Sequence, residues 1–372
     1  MANGFRPYLL AHLMEIAQSA TPQFKVDPQG FLNFLQSQKK PSVLRLNNAA
    51  GHQESVQVKY RQRWTKDFVD SSIDCNVTNV PSYLETSVAL ASTSAFAINI
   101  ADETIAKYED EASKTVAVGQ PSTDFMNEFV EEIYAGANAI LSKLNSDLLT
   151  ILSANIGVNR RTGVNTASTI NLNKNANTNN LTDGITQILA DYKLNGFTGT
   201  PQAIGGGLFA NYMWQQVAKG LDSTGLNSSI LAGGMKFYYD LDVATVFGAN
   251  HLIVAEPDAV QIVEYMKYTG FKAGIKPGGS TFGTMTLPMQ VGTEVLGVDF
   301  DFQLKYNDCK KSFTDAYYGN SVEIEPGYQL IISKSAGLFT LPTNAYRAGD
   351  PLVGNRGTLR YNITNSCDDC GA

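Results

Sequence analysis

Between Phe125 and Ile151 the apolar residues keep a helical period that nothing interrupts. Phe125, Phe129, Ile133, Ala137, Ile140, Leu144, Leu148 and Ile151 advance by about 3.6 residues at a time, and no proline falls among them before Asn155 to Gly157 ends the run. Pro121-Ser-Thr-Asp124 supplies start and cap residues. The pattern predicts a helix from about 124 to 155, roughly 48 Å long at 1.5 Å per residue. Ordinary helices run about three turns. One of this length is a beam, and the rest of the chain must be arranged along it.

The chain has 372 residues, and 43% of them are hydrophobic, enough to fill a core. Charged residues make up only 17%, against about 25% in ordinary soluble domains, while there are 29 asparagines and 32 glycines. A low-charge surface of this kind suits contact with other protein. With 28 basic and 35 acidic residues the formal charge is −7, so no global field draws the chain to phosphate backbones. The apolar runs fall short of the roughly 18 residues a membrane span needs. Met1 to Ala20 superficially resembles a signal peptide, but His12 and Glu15 interrupt its apolar stretch, and an amphipathic helix is the reading adopted.

Residues 1 to 40 read as an arm with short helices at Tyr8 to Ala17 and Phe31 to Gln36. From Ser42 the period changes to two. Val56, Val58, Tyr60 and Trp64 alternate with Gln57, Lys59, Arg61 and Arg63, which predicts a strand with one basic face. A second extended run covers Tyr83 to Ile100, and the pair has too few apolar residues to be stable unless it lies on something else. Residues 101 to 117 return to helix. After the long helix, Asn159 to Asn180 reads as an exposed loop, followed by helix Asp183 to Leu194, strand Pro201 to Ile204, helix Leu208 to Lys219, strands Phe237 to Leu241 and His251 to Val254, and a helix Asp258 to Met266 started by Pro257. Gly270 to Gly283 reads as a mobile or tightly turning loop. Asp299 to Tyr306 alternates without error, and Val322 to Ile324, Tyr328 to Ser333 and Leu359 to Ile363 are further strands.

Motifs for phosphate cradles, zinc proteases, serine hydrolases and dinucleotide sites are absent. The histidines are His12, His52 and His251, and none has the neighbours of a catalytic base. Gly205-Gly-Gly207 opens a helix, where anions bind readily, but a tight strand-to-helix turn explains it as well. No cofactor is indicated. Cys75, Cys309 and the Cys367-Asp-Asp-Cys370 pair leave three readings open: free thiols, a zinc site, or disulfides within or between chains. Lys59, Arg61, Arg63 and Lys66 on the strand complement Asp124, Glu128, Glu131 and Glu132 on the long helix. They are either a solvated basic face with unrelated partners or an inter-subunit contact in which the strand lies over a neighbour's helix.

This order of parts resembles the tailed-bacteriophage major capsid protein of the Hong Kong 97-type fold. The resemblance rests on Val56-Gln-Val-Lys-Tyr-Arg-Gln-Arg63 as one limb of an extension loop, Met126-Asn-Glu-Phe-Val-Glu-Glu-Ile133 within a spine helix, Pro201-Gln-Ala-Ile-Gly205 before a helix, and His251-Leu-Ile-Val-Ala-Glu-Pro257. It implies an α+β fold with an N-terminal arm at 1–53, an extended β-hairpin loop at 54–100 and a peripheral domain with the spine helix at 101–180. An α/β axial domain at 181–286, a peripheral-domain strand at 287–312, an axial return at 313–345 and a C-terminal segment at 346–372 complete it. The function implied is mechanical, not enzymatic: hexamers and pentamers of the chain, locked by extension-loop contacts through Lys59, Arg61, Arg63, Lys66, Glu128, Glu131 and Glu132, form an icosahedral head around double-stranded DNA without reading its sequence. Decoration, portal and scaffolding proteins are the further partners, the virion is the location and the host cytoplasm the place of assembly. With the arm starting at Met1, no cleaved scaffold region is expected. On this reading the cysteines staple subunits, or Cys367 and Cys370 hold zinc with Cys75 or Cys309. The alternatives are a nanocompartment shell or another virion structural protein, and below these a hydrolase using the Gly205 region or a carbohydrate-binding adhesin.

Overall fold

The computed structural model describes residues 30–36, 43–45, 55–63, 83–90, 92–101, 106, 123–171, 183–218, 229–232, 234–265, 274–276, 280–291, 294–307, 311–314, 321–324, 327–346 and 348–364. The described helices are α1 (Gly30–Gln36), α2 (Thr123–Ser153), α3 (Asp183–Leu194), α4 (Gly207–Ala218) and α5 (Asp242–Phe247). Strands β1 (Val43–Arg45), β2 (Ser55–Arg61), β3 (Tyr83–Ala89) and β4 (Ser92–Ala101) precede α2. After it come β5 (Ser168–Asn171), β6 (Gln202–Gly205), β7 (Ser229–Ala232), β8 (Met235–Tyr239), β9 (His251–Ala255) and β10 (Val260–Tyr265). The remainder are β11 (Gly274–Lys276), β12 (Ser280–Val291), β13 (Glu294–Asn307), β14 (Lys311–Thr314), β15 (Ser321–Ile324), β16 (Gly327–Thr340) and β17 (Thr358–Thr364). The fold is mixed α+β, and no described helix is long and apolar enough to cross a membrane.

The chain divides into two units, one of residues 1–28, 92–143 and 265–335, the other of residues 29–91, 144–264 and 336–372. In the first, β12 and β13 form a long antiparallel pair from Thr281↔Leu304 to Val291↔Glu294. Period-two patterning explains the pair: Met285 and Leu287 on β12, and Val298, Phe300, Phe302 and Leu304 on β13, are buried. β16 adds to β13 from Asp301↔Ser333 to Asn307↔Gly327, β11 adds to β12, and β4 also pairs with β16. The part of α2 in this unit buries Phe129, Val130, Ile133, Tyr134, Ala137, Ile140 and Leu141. Gly136 lets β4 come close, since a Cβ there would lie 2.2 Å from the Phe96 ring. Lys334 is buried with its aliphatic stem, its ammonium donating to Asp299 O at 2.8 Å.

The second unit is built on a six-stranded mixed sheet in the order β5-β17-β9-β6-β8-β7. Ala203, Phe237, Leu252, Val254, Leu359, Tyr361 and Ile363 face the apolar sides of α3 and α4, which contribute Ile188, Tyr192, Phe209, Ala210 and Met213. On the opposite face Tyr238 meets Phe34 of α1 edge-on at 5.7 Å. The last turns of α2 bury Leu144, Leu148, Leu149 and Leu152 in this unit.

The long helix, α1, α3, α4, β9 and β17 form where the sequence pattern places them, within a residue or two, and β13 covers Asp299 to Tyr306 but begins five residues earlier, at Glu294. The helix expected at Asp258 to Met266 is instead β10. Pro257 does not start a helix: Glu256 to Ala259 is a turn closed by Ala259 N donating to Glu256 O at 3.2 Å, with Asp258 at φ 67° in the position a type II turn requires. Val260, Ile262 and Val263 then favour the extended state. Two further expectations are corrected. Gly270 to Gly283 contains β11 and the start of β12, and the loop Asn159 to Asn180 contains β5, a polar strand in which Ser168 and Ile170 are buried. The run Tyr83 to Ile100 is two strands, and the strand at Tyr328 extends to Thr340. Tyr8 to Ala17 lies outside the described residues, as does 101 to 117 apart from Ala101, which ends β4, and Ala106.

β16 touches β3 at Gly337, where an added Cβ would stand 2.4 Å from Ala89 O and 2.9 Å from Val88 Cγ1. Gly337→Ala is therefore expected to destabilise this unit by about 1–3 kcal/mol, as overpacking does. A lowered urea midpoint, with faster hydrogen exchange in β2 and β3, is the readout.

Candidate assembly interface

β2 and β3 pair antiparallel from Ser55↔Ala89 to Arg61↔Tyr83, and β1 flanks β2. One face of this hairpin is apolar, with Val56 opposite Val88 and Tyr60 opposite Leu84. It is not waiting for an external support. Val58 and Tyr60 are buried in the chain's own second unit, where the Tyr60 ring lies 5.8 Å from Phe339 and its hydroxyl donates to Asn344 Oδ1 at 2.9 Å. Burial raises the Tyr60 hydroxyl above its ordinary value, and the Asn344 bond only partly opposes this. The support that the pair needs comes from the chain's own second unit, so a neighbouring copy is not required for it.

The other face carries Gln57, Lys59 and Arg61 across from Ser87, Glu85 and Tyr83. Because Lys59 stands opposite Glu85, with its ammonium 5.6 Å from the Tyr83 ring centroid, the face is mixed in charge and bears an aromatic. Tyr83 is half exposed. Beyond Arg61 the alternation stops. Arg63 forms a bridge with Tyr346, donates its backbone N–H to Ala345 O at 2.7 Å, and turns its guanidinium onto Glu256. Glu256 is 3% exposed, and its other oxygen accepts from Thr198 N at 3.0 Å and Thr198 Oγ1 at 2.9 Å. Burial works against the Arg63 charge, but the Glu256 carboxylate outweighs it and holds the guanidinium above its ordinary value. Arg63 thus has its partner within its own chain.

Glu131 and Glu132 are exposed on α2 in the first unit, Glu128 lies on the same helix with its side chain outside the described set, and Lys66 is outside it altogether. Cys75, Cys309, Cys367 and Cys370 also lie outside the described residues. Among the described residues no group of three or more His, Cys, Asp or Glu could hold a metal. His251 is half-buried at the start of β9, where Arg360 Nε lies 3.3 Å from its Nδ1. Burial and the Arg360 charge push its imidazole below the ordinary value and favour the neutral form. The glycines at 205–207 are explained by close packing, since a Cβ on Gly206 would lie 2.8 Å from Asp240 O and Gly207 has φ +56°.

Sequence reading missed Glu256, Asn344 and a hub at Asp191. The hub carboxylate is bound by Arg161 Nε at 2.8 Å, Tyr361 OH at 3.1 Å and Asn159 Nδ2 at 3.3 Å, tying the loop after α2 to α3 and β17. Each partner lies 30 or more residues away, so no local spacing marks them. The richness in asparagine was a usable signal, since Asn159, Asn195 and Asn355 bond one another's side chains or backbone.

No family model matches the sequence, and no curated protein matches it in sequence. Its structural neighbours include phage capsids. The capsid of Myoviridae Phage XM1 is 12% identical, with 89% of this chain and 92% of that one covered and a TM-score of 0.36. The capsid of Ralstonia phage GP4 is 10% identical over 87% of this chain and 86% of its own, at a TM-score of 0.37. A structure from Mycobacterium phage Bobi is 12% identical over 86% and 88%, at 0.40.

Glu256→Gln would keep an acceptor for Thr198 and leave Arg63 without its counter-charge. Because Arg63 is partly open to solvent, the expected loss is about 2 kcal/mol, below that of a fully buried pair. Chemical denaturation measures it, and exchange at 55–63 should rise more than exchange in α4.

Proposed function

We propose that the chain is the major capsid protein of a tailed double-stranded DNA bacteriophage, assembling as hexamers and pentamers into an icosahedral head of the Hong Kong 97 type. The observation that carries this reading is the β2–β3 hairpin. Its apolar face, and Arg63 just past the end of β2, fasten it to the α/β unit, while its other face presents Lys59, Arg61 and Tyr83 outward. An element held along one face with a polar, aromatic-bearing outer face suits contact with another copy, where Tyr and Arg are favoured. The 31-residue helix α2, with Glu131 and Glu132 exposed, offers a rigid surface of the opposite sign. The low charge content and net charge of −7 fit a shell that meets its own copies over large areas and does not adhere to the DNA it encloses.

In this reading Lys59, Arg61 and Lys66 of one copy lie over Glu128, Glu131 and Glu132 of the next. Each exposed pair is worth about 0–1 kcal/mol, so the contact acts through its number of copies and through register. The four cysteines are the remaining proposed contacts, as inter-subunit staples or a zinc site.

Negative-stain microscopy of the expressed chain should show capsomers or closed particles; a small discrete oligomer would reject the reading. The Lys59→Glu, Arg61→Glu double variant is expected to lose particles while its unfolding midpoint stays near that of the parent. Adding Glu131→Lys and Glu132→Lys should restore a part of them. Normal particles from the double variant would remove the charge contact from the account.

A further inference from the structure

The turn from α5 into β9 closes around one imidazole. His251, the first residue of β9, pairs with Asn362 of β17, and Arg360 stands two residues back along β17, opposite Ile253. Residues offset by two share a face of the sheet, and these two side chains meet. Arg360 Nε donates to His251 Nδ1 at 3.3 Å, and Arg360 Nη2 lies 3.5 Å from His251 Nε2. Nη2 also donates at 2.7 Å to the carbonyl of Phe247, the last residue of α5, and the guanidinium lies 5.2 Å from the Phe247 ring centroid. One guanidinium therefore joins the end of α5 to the start of β9.

The imidazole has little room to turn aside. A Cβ on Gly248, at φ +113°, would stand 2.7 Å from its Cδ2, and His251 N donates to Gly248 O at 3.2 Å. Of the elements around this turn, α4, β5, β6, β9 and β17 contain no Asp or Glu, and the one acid of α5 is its first residue, Asp242, at the end away from Phe247. Among the described residues the charge acting on His251 is that of Arg360. A neutral imidazole offers one lone pair to the guanidinium and keeps one N–H for its bond with the Tyr361 backbone. An imidazolium has two N–H groups and no lone pair. Arg360, which keeps its charge at every relevant pH, then loses an acceptor and meets a like charge. Burial acts in the same direction, and the Tyr361 bond, which favours the charged ring, opposes both only in part.

We propose that His251 and Arg360 form an acid-released clasp on the turn between α5 and β9: the neutral imidazole accepts the guanidinium and holds the turn closed, and protonation sets two cations against each other and loosens it. The proton comes from solvent, to which the half-buried ring is partly open. The folded chain binds this proton less tightly than the unfolded one does. The clasp therefore contributes in full above the ordinary histidine value of 6.5, and its contribution is lost as pH falls through the lowered value of the folded chain. The turn reaches the last strand as well, since Ile363 N donates to Asn250 O at 2.8 Å. The hold on the end of β17 follows pH with it, and the clasp needs no second copy of the chain.

Hydrogen exchange read by mass spectrometry on the full chain, from about pH 8 to about pH 5, tests the clasp. After correction for intrinsic exchange, protection of residues 248–253 and 361–364 relative to α3 should fall as pH drops below about 6.5, by up to about tenfold for each unit by which the His251 titration is displaced. His251→Gln, whose amide both donates and accepts but takes up no proton in this range, should hold protection level throughout. Arg360→Gln should start from lower protection and show a smaller fall, because the imidazole then protonates without a second cation beside it. If Arg360→Gln does not fold, the His251→Gln profile alone decides. A flat profile in the parent chain, a parent-like fall in His251→Gln, or an undiminished fall in Arg360→Gln overturns the proposal.

Discussion

The buried carboxylate of Glu256 is the interaction on which the second unit depends. It follows β9, its backbone N–H donates to Gly357 O at 2.8 Å, and its carbonyl closes the turn that sends the chain into β10. Its side chain then binds Thr198 after α3 and Arg63 just past the end of β2. A carboxylate taken out of water is tolerated only when paired and hydrogen-bonded on every side. Here the carboxylate's partners come from two separated stretches of chain, so satisfying one charge brings the loop after α3 and the segment following β2 to one place.

This changes what the hairpin's basic residues are for. Arg63, just past the end of β2, is spent inside the chain, while Lys59 and Arg61 lie within the strand, on the face turned away from Phe339 and Asn344. The same alternation therefore serves two ends. Its apolar phase fixes the hairpin to its own body, and its polar phase carries Lys59 beside Glu85 and the Tyr83 ring on the face turned away. In the proposed assembly that face gains appreciably only when many weak pairs form at once.

Elements whose residues carry their own pattern were legible in the sequence. The apolar repeat of α2 survives because the helix buries one stripe along its length, and β13 alternates because one face is covered. The failures share a different cause. At Pro257 the same dipeptide serves a helix start or a type II turn, and the deciding fact is Asp258 at φ 67°, fixed by what Glu256 must bind. β5 is polar because it sits at the end of the sheet order, and Ser168 is buried beside Ile170 with a bond from Asn159. Arg63 could not be told from Arg61, since its partner is 193 residues away. Chemistry that depends on convergence of remote segments leaves no spacing to read.

Glu256 and Asp240 lie at opposite ends of one sheet, since Gln202 pairs with Ala255 at one end of β6 while Gly205 pairs with Tyr239 at the other. Both are buried acids that collect backbone and side-chain donors from distant segments. They differ in one respect: Glu256 faces a guanidinium, and Asp240 faces a second carboxylate. The guanidinium of Arg63 supplies the counter-charge beside Glu256, whereas Asp240 is held by the amides of Phe31, Asn145 and Asp242.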